Sequence, residues 1–174
     1  VLALARSRPS LVPALNRLVG RAYFRPARQV APSHRVFNIA MPPVHQECEY
    51  AIPLEAARDA MRELIPFVRA HRVDFVLEVR FVAADTGWLS PAHGRDSCQI
   101  GAYMGDSADR AAYFRGFEDR MLALDGRPHW GKQFEAPMRT VLARYPKADA
   151  WLELREALDP DGRFAGPFVR RMLT

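Results

Sequence analysis

The chain has 174 residues, of which 49% are hydrophobic and 26% charged, a composition typical of one soluble globular domain with a real hydrophobic core. The net charge of +5, from 25 Lys and Arg against 20 Asp and Glu, permits an anionic ligand, but no basic run is long enough for a nucleic-acid-binding arm. No segment reaches the roughly 20 apolar residues of a membrane span, and Cys48 and Cys98 have neither a disulfide framework nor metal-ligand spacing.

Residues 1–34 are predicted to form a partial N-terminal unit, and residues 35–174 the main domain. The unit contains a short amphipathic helix over 11–19, and a basic, proline-bearing, irregular segment follows over 24–38. The chain begins with Val1 rather than Met, which suggests a fragment or an excised domain. An alternative function for this region is binding of nucleic acid or acidic lipid through its arginines. The arginines concerned are Arg21, Arg25, Arg28 and Arg35.

The rest of the chain contains alternating and helical hydrophobic patterns in turn. Alternation predicts strands over 45–52, 75–82 and 97–104. Helical spacing predicts helices over 54–70 with a kink at Pro66, 108–124 capped by Ser107 and stopped by Asp125 and Gly126, 136–144, 148–158, and a final turn or two over 167–173. This order favours an α+β domain in which helices cover one face of an antiparallel sheet.

Two charged residues interrupt the apolar strand 75–82. Glu78 and Arg80 lie on the same face, about 7 Å apart, because side chains two residues apart in a strand point the same way. The opposite face, Phe75, Leu77, Val79 and Phe81, is predicted to be the core face. The charged pair either lines a pocket for a polar ligand or is a solvent-washed surface pair.

Two further segments are candidate parts of a site. In strand 97–104, Gly101 and Tyr103 share a polar, small and aromatic face that suits a pocket wall. The segment RPHWGK at 127–132 suits the edge of a planar, charge-accepting ligand, although an ordinary loop with one buried Trp and one solvated Lys would have the same composition. His93 has only Asp96 as a nearby partner, so we expect no metal site.

Several short motifs, taken together, resemble the C-terminal part of the aldonolactone oxidases. This group of flavoproteins of the vanillyl-alcohol-oxidase type includes D-arabinono-1,4-lactone, L-gulono-1,4-lactone and alditol oxidases. The resemblance covers roughly residues 35–174, with its motifs in the family's order. They are ECEYAIP at 47–53, EVR at 78–80, VAAD at 82–85, WLSP at 88–91, GRD at 94–96, PHWGK at 128–132 and LDPDGRF at 158–164.

The resemblance implies a substrate-binding (cap) domain that covers the flavin ring of FAD, with the FAD-binding domain of the same parent protein absent from this chain. The expected reaction is oxidation of a sugar 1,4-lactone, of the D-arabinono-1,4-lactone type, by hydride transfer to flavin. Oxygen or another acceptor then regenerates the flavin. The alternatives are an alditol oxidase acting on polyols and a truncated, non-catalytic binding domain. The isolated chain is expected to be inactive, and the protein to be cytoplasmic, with peripheral membrane contact left open.

Residue roles follow from the same resemblance, position by position. Glu78 and Arg80 match the family's substrate-contacting Glu-x-Arg pair, and Lys132 matches the lysine beside flavin and substrate. Arg80, Lys132 and Glu78 are therefore the expected catalytic residues. The expected cofactor contacts are His129, Trp130 and Lys132, and the expected pocket-wall positions are Glu47, Gly101 and Tyr103. Alditol oxidases carry a histidine where this chain has Gly101, which favours a lactone over an alditol and leaves the general base unassigned.

Overall fold

The computed structural model describes residues 2–23, 26, 28, 30–38 and 44–173. Its centre is a four-stranded antiparallel sheet in the order β2-β3-β1-β4. The strands are β1 (His45–Pro53), β2 (Leu77–Val82), β3 (Ser97–Gly105) and β4 (Arg127–Pro128). The expected α+β class with an antiparallel sheet is confirmed.

Eight α-helices and two 3₁₀ turns are present in the described residues. The helices are α1 (Leu2–Ser7), α2 (Val12–Tyr23), α3 (Ser33–Val36), α4 (Ala57–Ala70), α5 (Arg110–Ala123), α6 (Met138–Leu142), α7 (Ala148–Leu158) and α8 (Pro167–Leu173). The 3₁₀ turns are Pro9–Leu11 and Leu54–Ala56. Among these described helices, none combines the length and apolarity needed to cross a membrane.

The strand register divides the sheet into two chemically different faces. Paired residues of an antiparallel ladder share a face. Tyr50 pairs with Ile100, and both are fully buried beneath α4 and α5, where Leu64 and Phe117 are also fully buried. The other face, called here the polar face, consists of Glu47, Glu49, Glu78, Arg80, Gly101 and Tyr103. One face therefore forms the core, and the other is available for polar chemistry.

A buried hydrogen-bond network fixes the core beneath the site. The Tyr50 hydroxyl donates to Glu118 Oε2 at 2.5 Å, and the same oxygen accepts the Glu135 amide at 3.0 Å. Burial, reinforced by the hydrogen bond to Glu118, raises the pKa of Tyr50 well above its ordinary value, so the phenol stays neutral. Through its bond to the Glu135 amide, Glu118 anchors the chain three residues beyond Lys132. Full burial of a large side chain such as that of Tyr50 stabilises the fold by about 1.5–3 kcal/mol.

Strand β2 differs from its predicted extent and burial. It begins at Leu77 rather than at residue 75, and Phe81, expected in the core, is 70% exposed. Val79 is also exposed, whereas Phe75 and Leu77 pack against the core cluster. The reason is that β2 is an edge strand and core residues cover only its first part.

The helix boundaries also differ from the sequence patterns. Helix α2 extends to Tyr23, beyond its predicted end, and α1 was not predicted. The segment 24–38, predicted to be irregular, contains the single turn α3. Residues 24, 25, 27 and 29 of that segment lie outside the described residues. Helix α4 follows a 3₁₀ turn and continues through Pro66. Helix α6 spans fewer residues than predicted, whereas α7 and α8 have their predicted bounds.

The C-terminal end of α5 lies within one residue of its predicted position, whereas its N-terminal end lies two residues later than predicted. The Ser107 Oγ accepts the Asp109 amide at 3.3 Å, so this serine caps the turn before a helix that begins only at Arg110. The predicted stop is confirmed, because Asp125 has a left-handed φ of 56°. At Gly126 a Cβ would lie 2.4 Å from the Met121 carbonyl oxygen, so only glycine fits.

Candidate active site

The polar face brings five of the sequence-predicted site residues together. Glu78 on β2 pairs with Gly101 on β3, and Gly101 pairs on its other side with Glu49 on β1. In the next residue pair on the same face, Tyr103 on β3 pairs with Glu47 on β1. Adjacent strands lie about 4.8 Å apart, so these residues occupy one continuous surface. Arg80 extends from the same face of β2, as the alternating pattern predicts.

Arg80 is held by two carboxylates. Its Nη2 donates to Glu49 Oε1 at 2.7 Å, and its Nε lies 3.5 Å from Glu78 Oε1. Glu49 is only 2% exposed, whereas the Arg80 side chain is 48% exposed. Among the described residues, Glu49 Oε2 is buried without a hydrogen-bond partner, so the Arg80 guanidinium is the main compensation for this buried charge.

Sequence reasoning did not include Glu49 among the site residues. The available signal was its spacing, because Glu49 follows Glu47 by two residues in an alternating strand and so must share its face. A buried charge is costly unless it is paired, and the partner of Glu49 comes from a different strand, which its own spacing does not reveal. The structure gives Glu49 a buried position with Arg80 as its partner.

Tyr103 crosses the surface toward Glu78. Its hydroxyl donates to Glu78 Oε2. Burial, reinforced by this hydrogen bond, raises the pKa of Tyr103 above its ordinary value, so the phenol remains a neutral donor. A Cβ built at Gly101 would lie 3.0 Å from Cε2 of the Tyr103 ring. Glycine at this position therefore lets the ring lie close to the strand and reach Glu78.

The Lys132 loop is attached to β1 through the backbone. Strand β4 pairs with Tyr50 and Ala51, which the sequence patterns did not predict. The His129 amide then donates to the Glu49 carbonyl at 2.9 Å, and the Gln133 amide to the Glu47 carbonyl at 2.9 Å. These bonds bring Lys132 to the polar face, where its ammonium group forms an ion pair with the Glu47 carboxylate.

The other two predicted cofactor residues have different surroundings. His129 is partly buried, and its Nδ1 accepts the Gly131 amide at 3.1 Å. The Trp130 Nε1 donates to the Leu89 carbonyl at 2.7 Å, and its ring lies 5.2 Å from that of Tyr145. Trp130 thus belongs to an aromatic cluster that also contains Phe134 and Phe168. Its contact with a cofactor stays a prediction.

The loop before β3 has a structural role in the described chain. Asp96 Oδ1 accepts the Ala84 amide at 2.8 Å, and the Arg127 Nη1 donates to the His93 carbonyl at 2.8 Å. Within the described ranges, no three His, Cys, Asp or Glu side chains are arranged to hold a metal ion. The polar face, together with Lys132 beside it, offers two cations, three carboxylates and a phenol. Such a set suits a ligand with hydroxyl and carbonyl oxygens.

Comparison with known proteins supplies a context for this surface. Residues 1–172 match the family model described as D-arabinono-1,4-lactone oxidase. An L-gulono-1,4-lactone dehydrogenase of Mycobacterium tuberculosis is 38% identical over 167 residues, which cover 95% of this chain and 39% of the relative. An L-gulonolactone oxidase of Scyliorhinus torazame is 34% identical over 174 residues, covering 94% of this chain and 39% of that protein.

A third relative is named for a different substrate. An alditol oxidase of a Streptomyces species is 35% identical over 130 residues, covering 73% of this chain and 31% of the relative. The chain spans about 39% of the length of the gulonolactone-named relatives given above. The similarity therefore concerns one part of considerably longer proteins.

Proposed function

Because the chain belongs to the D-arabinono-1,4-lactone oxidase family, whose members are FAD-linked aldonolactone oxidases and dehydrogenases, we propose that it is the substrate-binding part of an oxidoreductase acting on a sugar 1,4-lactone. The observation that carries this proposal is the presence of Arg80 and Lys132, each paired with a carboxylate, on one partly exposed sheet face. A second domain of the same parent protein would bind most of the FAD.

The donors on the polar face fit a flavin ring. The Lys132 ammonium and the Arg80 guanidinium offer positive charge and N–H donors to ring carbonyl oxygens. We assign Lys132 to the cofactor, together with His129 and Trp130 in the same loop. When bound, FAD supplies the acceptor for the hydride that leaves the substrate carbon.

The protein side chains would bind the lactone and stabilise charge that develops on it. Glu78 accepts hydrogen bonds from substrate hydroxyls, while Tyr103 holds its second oxygen. The Arg80 and Lys132 side chains are both partly exposed, so their N–H groups can donate to a substrate oxygen on which negative charge accumulates. The two cations are already placed by Glu49 and Glu47, so little reorganisation accompanies the reaction.

We propose a lactone rather than a polyol as the substrate. By the resemblance described above, Gly101 stands where alditol oxidases carry a histidine, and in this structure a Cβ at Gly101 would lie 3.0 Å from the Tyr103 ring. The relatives given above include two L-gulonolactone enzymes, and the matching family model is described as D-arabinono-1,4-lactone oxidase. D-arabinono-1,4-lactone is our first choice, and L-gulono-1,4-lactone is the competing substrate.

A substrate panel tests this proposal. The protein expressed from its complete gene, loaded with FAD, is mixed without oxygen with D-arabinono-1,4-lactone, L-gulono-1,4-lactone or xylitol, and loss of the oxidised flavin absorbance is followed. We expect both lactones to reduce the flavin at least about tenfold faster than xylitol, a difference of about 1.4 kcal/mol in activation free energy. Faster reduction by xylitol than by either lactone would contradict the substrate assignment. The 174-residue chain alone, with added FAD, is expected to show no turnover.

A further inference from the structure

Glu47 uses both carboxylate oxygens in contacts with protein side chains. Oε2 forms the ion pair with the Lys132 ammonium, and Oε1 lies 2.9 Å from His45 Nε2. The Glu47 and Lys132 side chains are both partly buried, so solvent competes with the pair less than it does at an open surface. Glu78 also contacts two protein side chains, but it is 39% exposed against 22% for Glu47, and its contact with Arg80 is a longer 3.5 Å, so Glu78 is the better placed of the two to accept a substrate hydroxyl. The geometry of Glu47 points to a different task.

The backbone fixes the separation of Glu47 and Lys132. The carbonyl of Glu47 accepts the amide of Gln133, the residue that follows Lys132, at 2.9 Å. The Lys132 amide in turn donates to the His129 carbonyl at 3.0 Å, which closes the turn that carries the lysine. The backbone hydrogen bond from Gln133 to Glu47 therefore holds the two residues of the ion pair near each other, whatever the conformations of their side chains.

His45 restricts the orientation of the Glu47 carboxylate. Its ring is packed between aromatic rings, with centroids 5.1 Å from Phe75 and 5.8 Å from Tyr103. A ring held in this way presents Nε2 to Glu47 from a fixed direction. The second oxygen is then directed to Lys132. His45, Glu47 and Lys132 form a continuous chain of contacts along one side of the polar face.

Lysine is the residue type that gains most from such a restraint. Its ammonium group is a compact charge on a flexible four-carbon stem, and the rotamer entropy of that stem opposes a fixed position. The chain contains only two lysines, Lys132 and Lys147, among its 25 basic residues. One donor of the Lys132 ammonium is used by Glu47, and among the described residues no other side chain is paired with it, so further donors can serve a ligand.

We propose that Glu47 is a positioning residue for Lys132, and that His45 orients the Glu47 carboxylate for this purpose. The role rests on the proposed function, because Lys132 is assigned there to the cofactor and substrate. Glu47 then affects the reaction through the lysine and does not contact the lactone.

The experiment uses the FAD-loaded protein expressed from its complete gene, with the variants Glu47→Gln, Lys132→Met and the double substitution. Glu63→Gln is the matched control, because Glu63 is exposed on α4 and forms no ion pair with the described residues. His45→Phe is a second route to the same effect, because it keeps an aromatic ring and removes Nε2. Circular dichroism shows which variants retain the fold.

The first measurement needs neither substrate nor turnover. Acetic anhydride is added to the resting protein, and acetylation of Lys132 is compared by mass spectrometry with that of Lys147, which is exposed. We expect Glu47→Gln to increase the ratio of Lys132 to Lys147 acetylation at least about threefold, because the amine is no longer shielded by the carboxylate. His45→Phe should change it in the same direction, and Glu63→Gln should leave it unchanged. An unchanged ratio in both folded Glu47 and His45 variants would overturn the proposal.

The second measurement is anaerobic reduction of the flavin as a function of lactone concentration. Glu47→Gln is expected to lower the limiting rate constant at least about fivefold and to change the apparent dissociation constant of the lactone less than twofold. In the double variant, the loss should be no larger than in Lys132→Met alone, because both substitutions remove one unit. Weaker lactone binding with unchanged acetylation would identify Glu47 as a substrate contact and overturn the positioning role. If wild-type protein is not reduced by lactone, the proposed function fails, while the acetylation result still decides whether Glu47 holds Lys132.

Discussion

Replacing Arg80 with Ala is expected to destabilise the protein as well as to impair its chemistry. The substitution leaves Glu49, a carboxylate only 2% exposed, with no ion-pair partner among the described residues. Removing one partner of a fully buried pair costs about 3–5 kcal/mol. Because the Arg80 side chain is 48% exposed, water offsets part of this loss, and we expect about 1–3 kcal/mol.

Thermal unfolding measures this loss. For a domain of this size, each kcal/mol shifts Tm by about 2–4 °C, so a loss of about 1–3 kcal/mol should lower the Tm of Arg80→Ala by about 2–12 °C. Arg62→Ala is the matched control, because its ion pair with Asp59 lies at the surface, with side chains 70% and 69% exposed, and should shift Tm by under about 2 °C.

A compensating substitution separates the buried charge from other effects of Arg80. Adding Glu49→Met to Arg80→Ala removes the buried charge with a side chain of similar volume, and should restore at least half of the lost stability. An unchanged Tm in Arg80→Ala, or a double variant no more stable than Arg80→Ala, would show that Arg80 does not compensate a buried charge on Glu49.

Two further predictions concern packing beneath and on the polar face. Gly101→Ala introduces a Cβ 3.0 Å from the Tyr103 ring, and the ring must then move away from Glu78. We expect the KM for the lactone, measured by steady-state kinetics, to rise at least about threefold. An unchanged KM would show that Tyr103 does not control Glu78. Burial, together with the charge of Glu118, raises the pKa of the Cys48 thiol. At pH 8, Cys48 of the native protein should therefore resist iodoacetamide until urea unfolds the chain. Labelling of Cys48 in the native protein as fast as in the unfolded protein would contradict this.

The elements that could be predicted from sequence are those whose pattern is local. Alternating side chains identified β1 and β3, and the shared face of Glu78 and Arg80 follows from strand geometry alone. The resemblance to a family was carried by short motifs and is confirmed by a family match over residues 1–172. These signals need no knowledge of which strands pair.

The remaining features depend on contacts between distant parts of the chain. Strand β4 has only two residues and therefore no periodicity, yet its pairing with β1 brings Lys132 to Glu47, 85 positions away in sequence. The exposure of Phe81 depends on its strand being at the sheet edge. The buried position of Glu49 depends on Arg80 from a different strand. No local pattern contains this information.

The most direct test of the proposed site is the rate at which a lactone reduces the flavin in Lys132→Ala and Arg80→Ala, measured by rapid anaerobic mixing of the FAD-loaded proteins. Both residues place positive charge on the polar face, where negative charge is proposed to develop. Each substitution should lower the reduction rate at least about tenfold, or about 1.4 kcal/mol, in protein that remains folded. Wild-type reduction rates in both folded variants would contradict the assignment of this sheet face as the active site.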